Sequence, residues 1–146
     1  ELVYLSHHVP FDIVQFHGDE SPRECKLMAD RINKRWIKAL RISHDDTTET
    51  IVTQIQALKD FGACSVLLDA YHPDKFGGTG DSFDWEKIPN HSPLPIILAG
   101  GLTADNVGEA IAKTNIYGVD VSGGIESAKG VKSLEKMQKF IEQTRK

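Results

Sequence analysis

The sequence predicts an α/β fold built from five successive β/α units, and three observations carry that expectation. Short apolar runs alternate with amphipathic helical patterns along the chain. The runs are almost continuously apolar, as strands are in a parallel sheet covered by helices. The last two runs each lead into a glycine pair, Gly100-Gly101 and Gly123-Gly124.

The first unit opens with a strand over Asp12 to His17, ending at Gly18. Ser21-Pro22 then starts a helix: serine caps well, proline suits the first helical position, and Glu24 stands at the capping-box position. Its apolar face is expected at Leu27, Met28 and Ile32. Trp36 to Ile42 is the second strand. Thr47 to Lys59 follows as a helix with Ile51, Ile55 and Leu58 at helical spacing. Ser65 to Asp69 is the third strand. Tyr71 to Asp84, rich in Gly, Asp and Thr, reads as a long surface loop of the kind often used by active sites. Phe83-Asp84-Trp85 leads into a short helix or turn. Ile96 to Leu98 is the fourth strand, and Thr103 to Lys113 its helix, with Val107, Ala110 and Ile111 inward. Val119 to Val121 is the fifth strand. Val131 to Lys146 is the closing helix, with Leu134, Met137, Phe140 and Ile141 on one face.

The 146 residues suffice for one domain with a real core, so residues 1–146 are expected to form a single domain. Charged residues make up 26% and hydrophobic residues 40%, a soluble globular balance. Seventeen Lys and Arg against 21 Asp and Glu give a net charge of −4, with no basic run. Nucleic acid and membrane are therefore not expected partners. No apolar stretch approaches the roughly 20 residues of a membrane span. The opening Glu1-Leu2-Val3-Tyr4-Leu5 lacks the basic and apolar regions of a signal peptide. Cys25 and Cys64 make neither a disulfide framework nor a metal site, and free thiols fit a cytoplasmic setting. The histidines show no ligand-like spacing, so no metal or other cofactor is expected.

Glycine lets backbone N–H groups approach an anion closely. Two glycine turns at the same end of neighbouring strands form a phosphate cradle, most familiar after strands seven and eight of a (β/α)8 barrel. With no basic field, backbone donors must hold the anion, which points to a phosphorylated small molecule as substrate. Five units are too few to close such a barrel. The periodicity leaves open a five-stranded doubly wound domain or part of a barrel.

Asp69 ends an apolar strand just before a glycine-rich loop. A carboxylate desolvated there suits a general acid, and it equally suits a loop cap. Asp120, between Val119 and Val121, points opposite to both valines. It lines a barrel mouth or forms an ion pair toward a helix. His17 shares a face with Gln15 at the end of strand one, where lining the site fits better than catalysis. Gly77-Gly78-Thr79-Gly80 has the flexibility to close over a ligand. Lys38 and Arg41 on strand two face either the mouth or solvent, and Trp36 and Trp85 read as packing residues.

Several stretches in fixed order add a resemblance. They are Val14-Gln15-Phe16-His17-Gly18-Asp19-Glu20, Leu67-Leu68-Asp69, Gly77-Gly78-Thr79-Gly80 with Phe83-Asp84-Trp85, Leu98-Ala99-Gly100-Gly101-Leu102 with Asn106-Val107, and Gly118-Val119-Asp120-Val121-Ser122-Gly123-Gly124-Ile125-Glu126. Together they resemble the phosphoribosylanthranilate isomerase family of tryptophan biosynthesis. The resemblance implies a (β/α)8 TIM-barrel family fold, here a partial barrel of about five β/α units corresponding to strands 4–8. It implies a cofactor-free Amadori rearrangement of N-(5-phosphoribosyl)anthranilate, with Asp69 as general acid. Asp120 would lie near the anthranilate moiety, with Gln15, His17 and Gly78 also on the substrate. Gly100, Gly101, Ser122, Gly123 and Gly124 would bind the phosphate. The family's base is a cysteine in a Lys-x-Cys-Gly motif, which this sequence lacks. Ser21-Pro22-Arg23 has the letters of the family's early Ser-Pro-Arg but sits at a helix start, so that role is not carried over. The chain alone is therefore expected to be inactive, to lack the family's N-terminal third, and to self-associate through open barrel edges. The alternatives are another phosphate-binding barrel enzyme, similar to indole-glycerol-phosphate synthase, or a non-catalytic phosphate-binding fragment.

Overall fold

The apolar runs form one parallel sheet in the computed structural model, which describes residues 1–69 and 85–145. Strands β1 (Ile13–Phe16), β2 (Arg35–Arg41), β3 (Ser65–Asp69), β4 (Ile96–Ala99) and β5 (Gly118–Val119) lie side by side in chain order. Helix α1 (Leu2–His8) precedes the sheet. Helices α2 (Pro22–Ile32), α3 (Thr48–Asp60) and α4 (Val107–Lys113) connect successive strands. After β5 come an antiparallel hairpin, β6 (Glu126–Ala128) and β7 (Val131–Lys132), and helix α5 (Leu134–Thr144). A doubly wound domain needs a point where strand order reverses. Here each strand pairs with the next without reversal, the order found in consecutive units of a barrel.

The ladder register sorts side chains into two faces. Val14, Trp36 and Phe16, Lys38, Val66, Ile96 share one face, as do Leu40, Leu68, Leu98 and Val119. This face meets the buried helix residues Cys25, Ala29, Ile51, Ile55, Leu58, Val107, Ala110 and Phe140 in one core. The opposite face carries Gln15, Ile37, Ala39, Arg41, Leu67, Asp69, Ile97 and Ala99.

Local chemistry sets the helix starts. Ser21 and Glu24 close a reciprocal capping box, and Thr47 with Thr50 closes another. Asn33 ends α2 in the left-handed region at φ 50°. Several expected faces shift. Helix α2 buries Cys25, Ala29 and Ile32, while Leu27 and Met28 are 54% and 42% exposed. Small side chains at helical spacing let the backbone lie close to the sheet and turn the larger pair outward. Helix α4 begins only at Val107, since Thr103 and Asn106 are engaged in the preceding turn, and Ile111 is exposed. Strand β5 is shorter than expected. Val131 and Lys132 are strand, because Gly130, at φ 79°, reverses the chain into the hairpin. Helix α5 therefore starts after the Ser133 cap and buries Phe140, while Leu134 and Ile141 are exposed.

Candidate functional site

The face of the sheet opposite the helix-side core gathers the chemistry at the C-terminal strand ends. Arg41, Asp69 and Ala99 stand side by side in register. Asp120 follows β5 one residue beyond the Leu98–Val119 pair, and its N–H still donates to the Leu98 carbonyl at 2.8 Å. Val119 and Val121 pack on the helix-side core, so alternation puts Asp120 on the face of Asp69. With strands about 4.8 Å apart, the backbones at Asp69 and Asp120 stand roughly 10 Å apart across Ala99. Asp69 is partly buried and Asp120 exposed. Gln15 and His17, both exposed, belong to the same face at the end of β1.

Lys38 does not join them. It lies on the helix side and is buried at 5% exposure, the one buried charged side chain among the described residues. Its Nζ donates to the Gly18 carbonyl at 2.5 Å and to Glu20 Oε2 at 2.9 Å. A side chain at Gly18 would meet the Glu20 carboxylate at 2.8 Å, so glycine makes room for it. The Lys38 hydrogen bond holds the Glu20 carboxyl below its ordinary range. Lys38 thus fastens the loop that follows Gln15 and His17. Burial, in turn, pushes the Cys25 thiol up. Cys25 lies in α2, and Cys64 precedes β3 at the end opposite Asp69.

The two glycine turns meet. Gly100 and Gly101 take φ values of 90° and 65°, a region that residues with a Cβ rarely enter. Asn106 ties their loop, accepting from Thr103 N at 2.8 Å and donating to the Gly101 carbonyl at 3.1 Å. A Cβ on Gly124 would lie 1.8 Å from the Leu102 carbonyl oxygen. The turn after β5 therefore rests directly on the backbone of the turn after β4. At Gly101 and Gly123, by contrast, the Cβ position is open space. Ser122 is held from the hairpin, where Lys132 Nζ donates to its carbonyl at 2.9 Å.

The structure thus brings together Gln15, His17, Asp69 and Asp120 on one face, and Gly101, Ser122, Gly123 and Gly124 at adjoining turns. Gly78 lies outside the described residues. Among the described residues, no three His, Cys, Asp or Glu are grouped to hold a metal, and no helix is long and apolar enough to cross a membrane. Lys132 escaped the sequence reasoning. The Lys129-Gly130 turn signal between two short polar runs was the feature that marks its hairpin.

The sequence profile of N-(5'-phosphoribosyl)anthranilate (PRA) isomerase matches residues 1–143. The chain belongs to that isomerase family. An N-(5'-phosphoribosyl)anthranilate isomerase of Pseudomonas putida (strain GB-1) is 48% identical over 141 residues, covering 97% of this chain and 64% of the relative. The chain therefore spans slightly less than two thirds of that relative's length. The crystal structure of phosphoribosyl anthranilate isomerase from Thermotoga maritima is similar with a TM-score of 0.78 at 29% identity, over 99% of this chain and 66% of that one. A phosphoribosyl anthranilate isomerase solved in complex with reduced 1-(o-carboxyphenylamino)-1-deoxyribulose 5-phosphate gives a TM-score of 0.70 at 25% identity, over 99% of this chain and 64% of that one. The five parallel strands are accordingly part of the isomerase family's (β/α)8-barrel architecture.

Proposed function

We propose that this chain carries the general acid and the phosphate cradle of an N-(5'-phosphoribosyl)anthranilate isomerase of tryptophan biosynthesis. The observation that carries this reading is the row of Asp69 and Asp120 on the face opposite the helix-side core, beside two glycine turns in backbone contact. The Asp69 carboxyl donates its proton to the furanose ring oxygen. The C1–O bond breaks, and the nitrogen lone pair closes the imine. Loss of the C2 proton to a base then gives the enolamine, which tautomerises to the ketose. Asp120 lies beside the anthranilate moiety, and Gln15, His17 and Gly78 line the substrate. Gly100, Gly101, Ser122, Gly123 and Gly124 present backbone donors to the phosphate. The substrate is thus a phosphorylated small molecule, and the setting is cytoplasmic. Neither Cys25 nor Cys64 reaches this face, so neither is the base. Among the described residues no strand pairs with the outer edges of β1 and β5, and such edges favour self-association of this chain.

Titration of the chain with ribose 5-phosphate, followed through backbone amide resonances, tests the cradle. Shifts centred on Gly101 and Gly123 are expected; Gly123→Val should abolish them by filling the open space, and Gly101→Val by that and by straining a backbone held at φ 65°. Unchanged affinity in both variants would overturn the assignment.

A further inference from the structure

Strand β5 pairs over only two residues, and the Asp120 N–H bond is the last ladder contact before Ser122. Hairpin β6–β7 supplies what the sheet does not. Lys132 Nζ donates to the Ser122 carbonyl at 2.9 Å, to Ser122 Oγ at 3.2 Å and to Glu126 Oε1 at 2.8 Å. An ammonium has three protons, and all three are used, so Lys132 is committed to the turn. Glu126 is fixed in return. Its Oε2 accepts from Gly130 N at 3.2 Å, and its carbonyl accepts from Lys136 Nζ at 2.6 Å. The hydrogen bond from Lys132 keeps its carboxyl below the ordinary range.

The Ser122 carbonyl and the Gly123 N–H belong to one planar trans peptide, so they point in opposite directions. Fixing the carbonyl on Lys132 aims the Gly123 N–H away from the hairpin. We propose that Lys132 is a positioning residue: by pinning the Ser122 carbonyl it orients the Gly123 N–H toward a bound phosphate without touching that phosphate itself. This inference rests on the phosphate reading above. The lysine's charge behind the peptide also polarises the N–H it orients.

The test compares the chain with Lys132→Met and Lys132→Gln, titrated with inorganic phosphate and followed by amide resonances, beside thermal unfolding of each. The Lys132 side chain is 42% exposed, so both substitutions should fold. The expected result is phosphate binding about five- to tenfold weaker in Lys132→Met, the effect of one lost orienting contact. The Gly123 amide should lose its response while Gly101 keeps its own, Lys132→Gln should fall between, and the unfolding midpoints should stay together. Wild-type affinity in Lys132→Met, or a loss spread equally over both glycines with a lowered midpoint, overturns the positioning role alone. No phosphate response at either glycine in the unsubstituted chain overturns the phosphate reading and this inference with it.

Discussion

Gly124→Ala should separate the two turns, and Gly123→Ala should not. A Cβ on Gly124 would stand 1.8 Å from the Leu102 carbonyl oxygen, 2.9 Å from its carbon and 3.2 Å from Thr103 Cα. Real Cβ contacts essentially never fall under 3.0 Å, so the turns must open by about 1.2 Å, the difference between those distances. The obstacle is backbone on both sides, so no side chain can swing clear. Overpacking of that kind costs about 1–3 kcal/mol. In a domain of this size each kcal/mol lowers the unfolding midpoint by about 2–4 °C, so a drop of roughly 2–12 °C is expected. At Gly123 a Cβ meets nothing within 4 Å, and the midpoint should move by no more than about 0.5 kcal/mol's worth. Both variants should bind phosphate more weakly: Gly124→Ala by misplacing donors, Gly123→Ala by occupying the open side. Thermal unfolding with and without phosphate measures both effects. A Gly124→Ala chain as stable as Gly123→Ala would refute the direct contact between the turns.

In the complete enzyme, Asp69→Asn should keep substrate binding but lose about 10²–10⁴-fold in turnover, because an amide supplies no ring-opening proton. Near wild-type turnover would leave Asp69 as a loop cap. The 146 residues assayed alone should not isomerise the substrate, since no thiol reaches the face of Asp69. Robust activity from a chain of verified mass would mean that the base lies elsewhere in it. Removing Glu20 should destabilise by about 1.5–3 kcal/mol, because the buried Lys38 ammonium then keeps only the Gly18 carbonyl. Lys38→Met should cost only about 1–2 kcal/mol, since the 31% exposed Glu20 carboxylate can turn to water. Because the folded Glu20 pKa is depressed, its stabilisation is complete above about pH 4.5 and lost as pH falls through the lowered value. Urea unfolding from pH 7 to pH 3 should therefore show wild type and Glu20→Gln converging at the acid end.

The parts of the site that depend on local chemistry were readable from the chain. Asp69 at its strand end and the glycine pair with positive φ follow from what those residue types tolerate. The faces of β2 were not readable, because alternation separates Trp36, Lys38 and Leu40 from Ile37, Ala39 and Arg41 without saying which set meets helices. A lysine between Trp36 and Leu40 is acceptable on the helix side only because Gly18 and Glu20 reach it, a contact made across the fold. Gly123 and Gly124 are indistinguishable as letters, and their difference lies in where the Leu102 carbonyl ends up. The hairpin was hidden for another reason: Val131 fits an amphipathic helix as well as a strand, and the Gly130 conformation decides between them.

The unbroken strand order has a consequence for how the chain is made. Each strand after β1 pairs with the strand translated just before it. A chain emerging from the ribosome can therefore extend the sheet one unit at a time, without waiting for a distant partner. Pairing between adjacent units keeps the loops to be closed short, which lowers the entropic barrier to each addition. The two-residue β5 is the weakest step in that series. It is also the step that brings Gly124 onto the Leu102 backbone, so on this order of events the two glycine turns meet last, after the row that holds Asp69 has already formed.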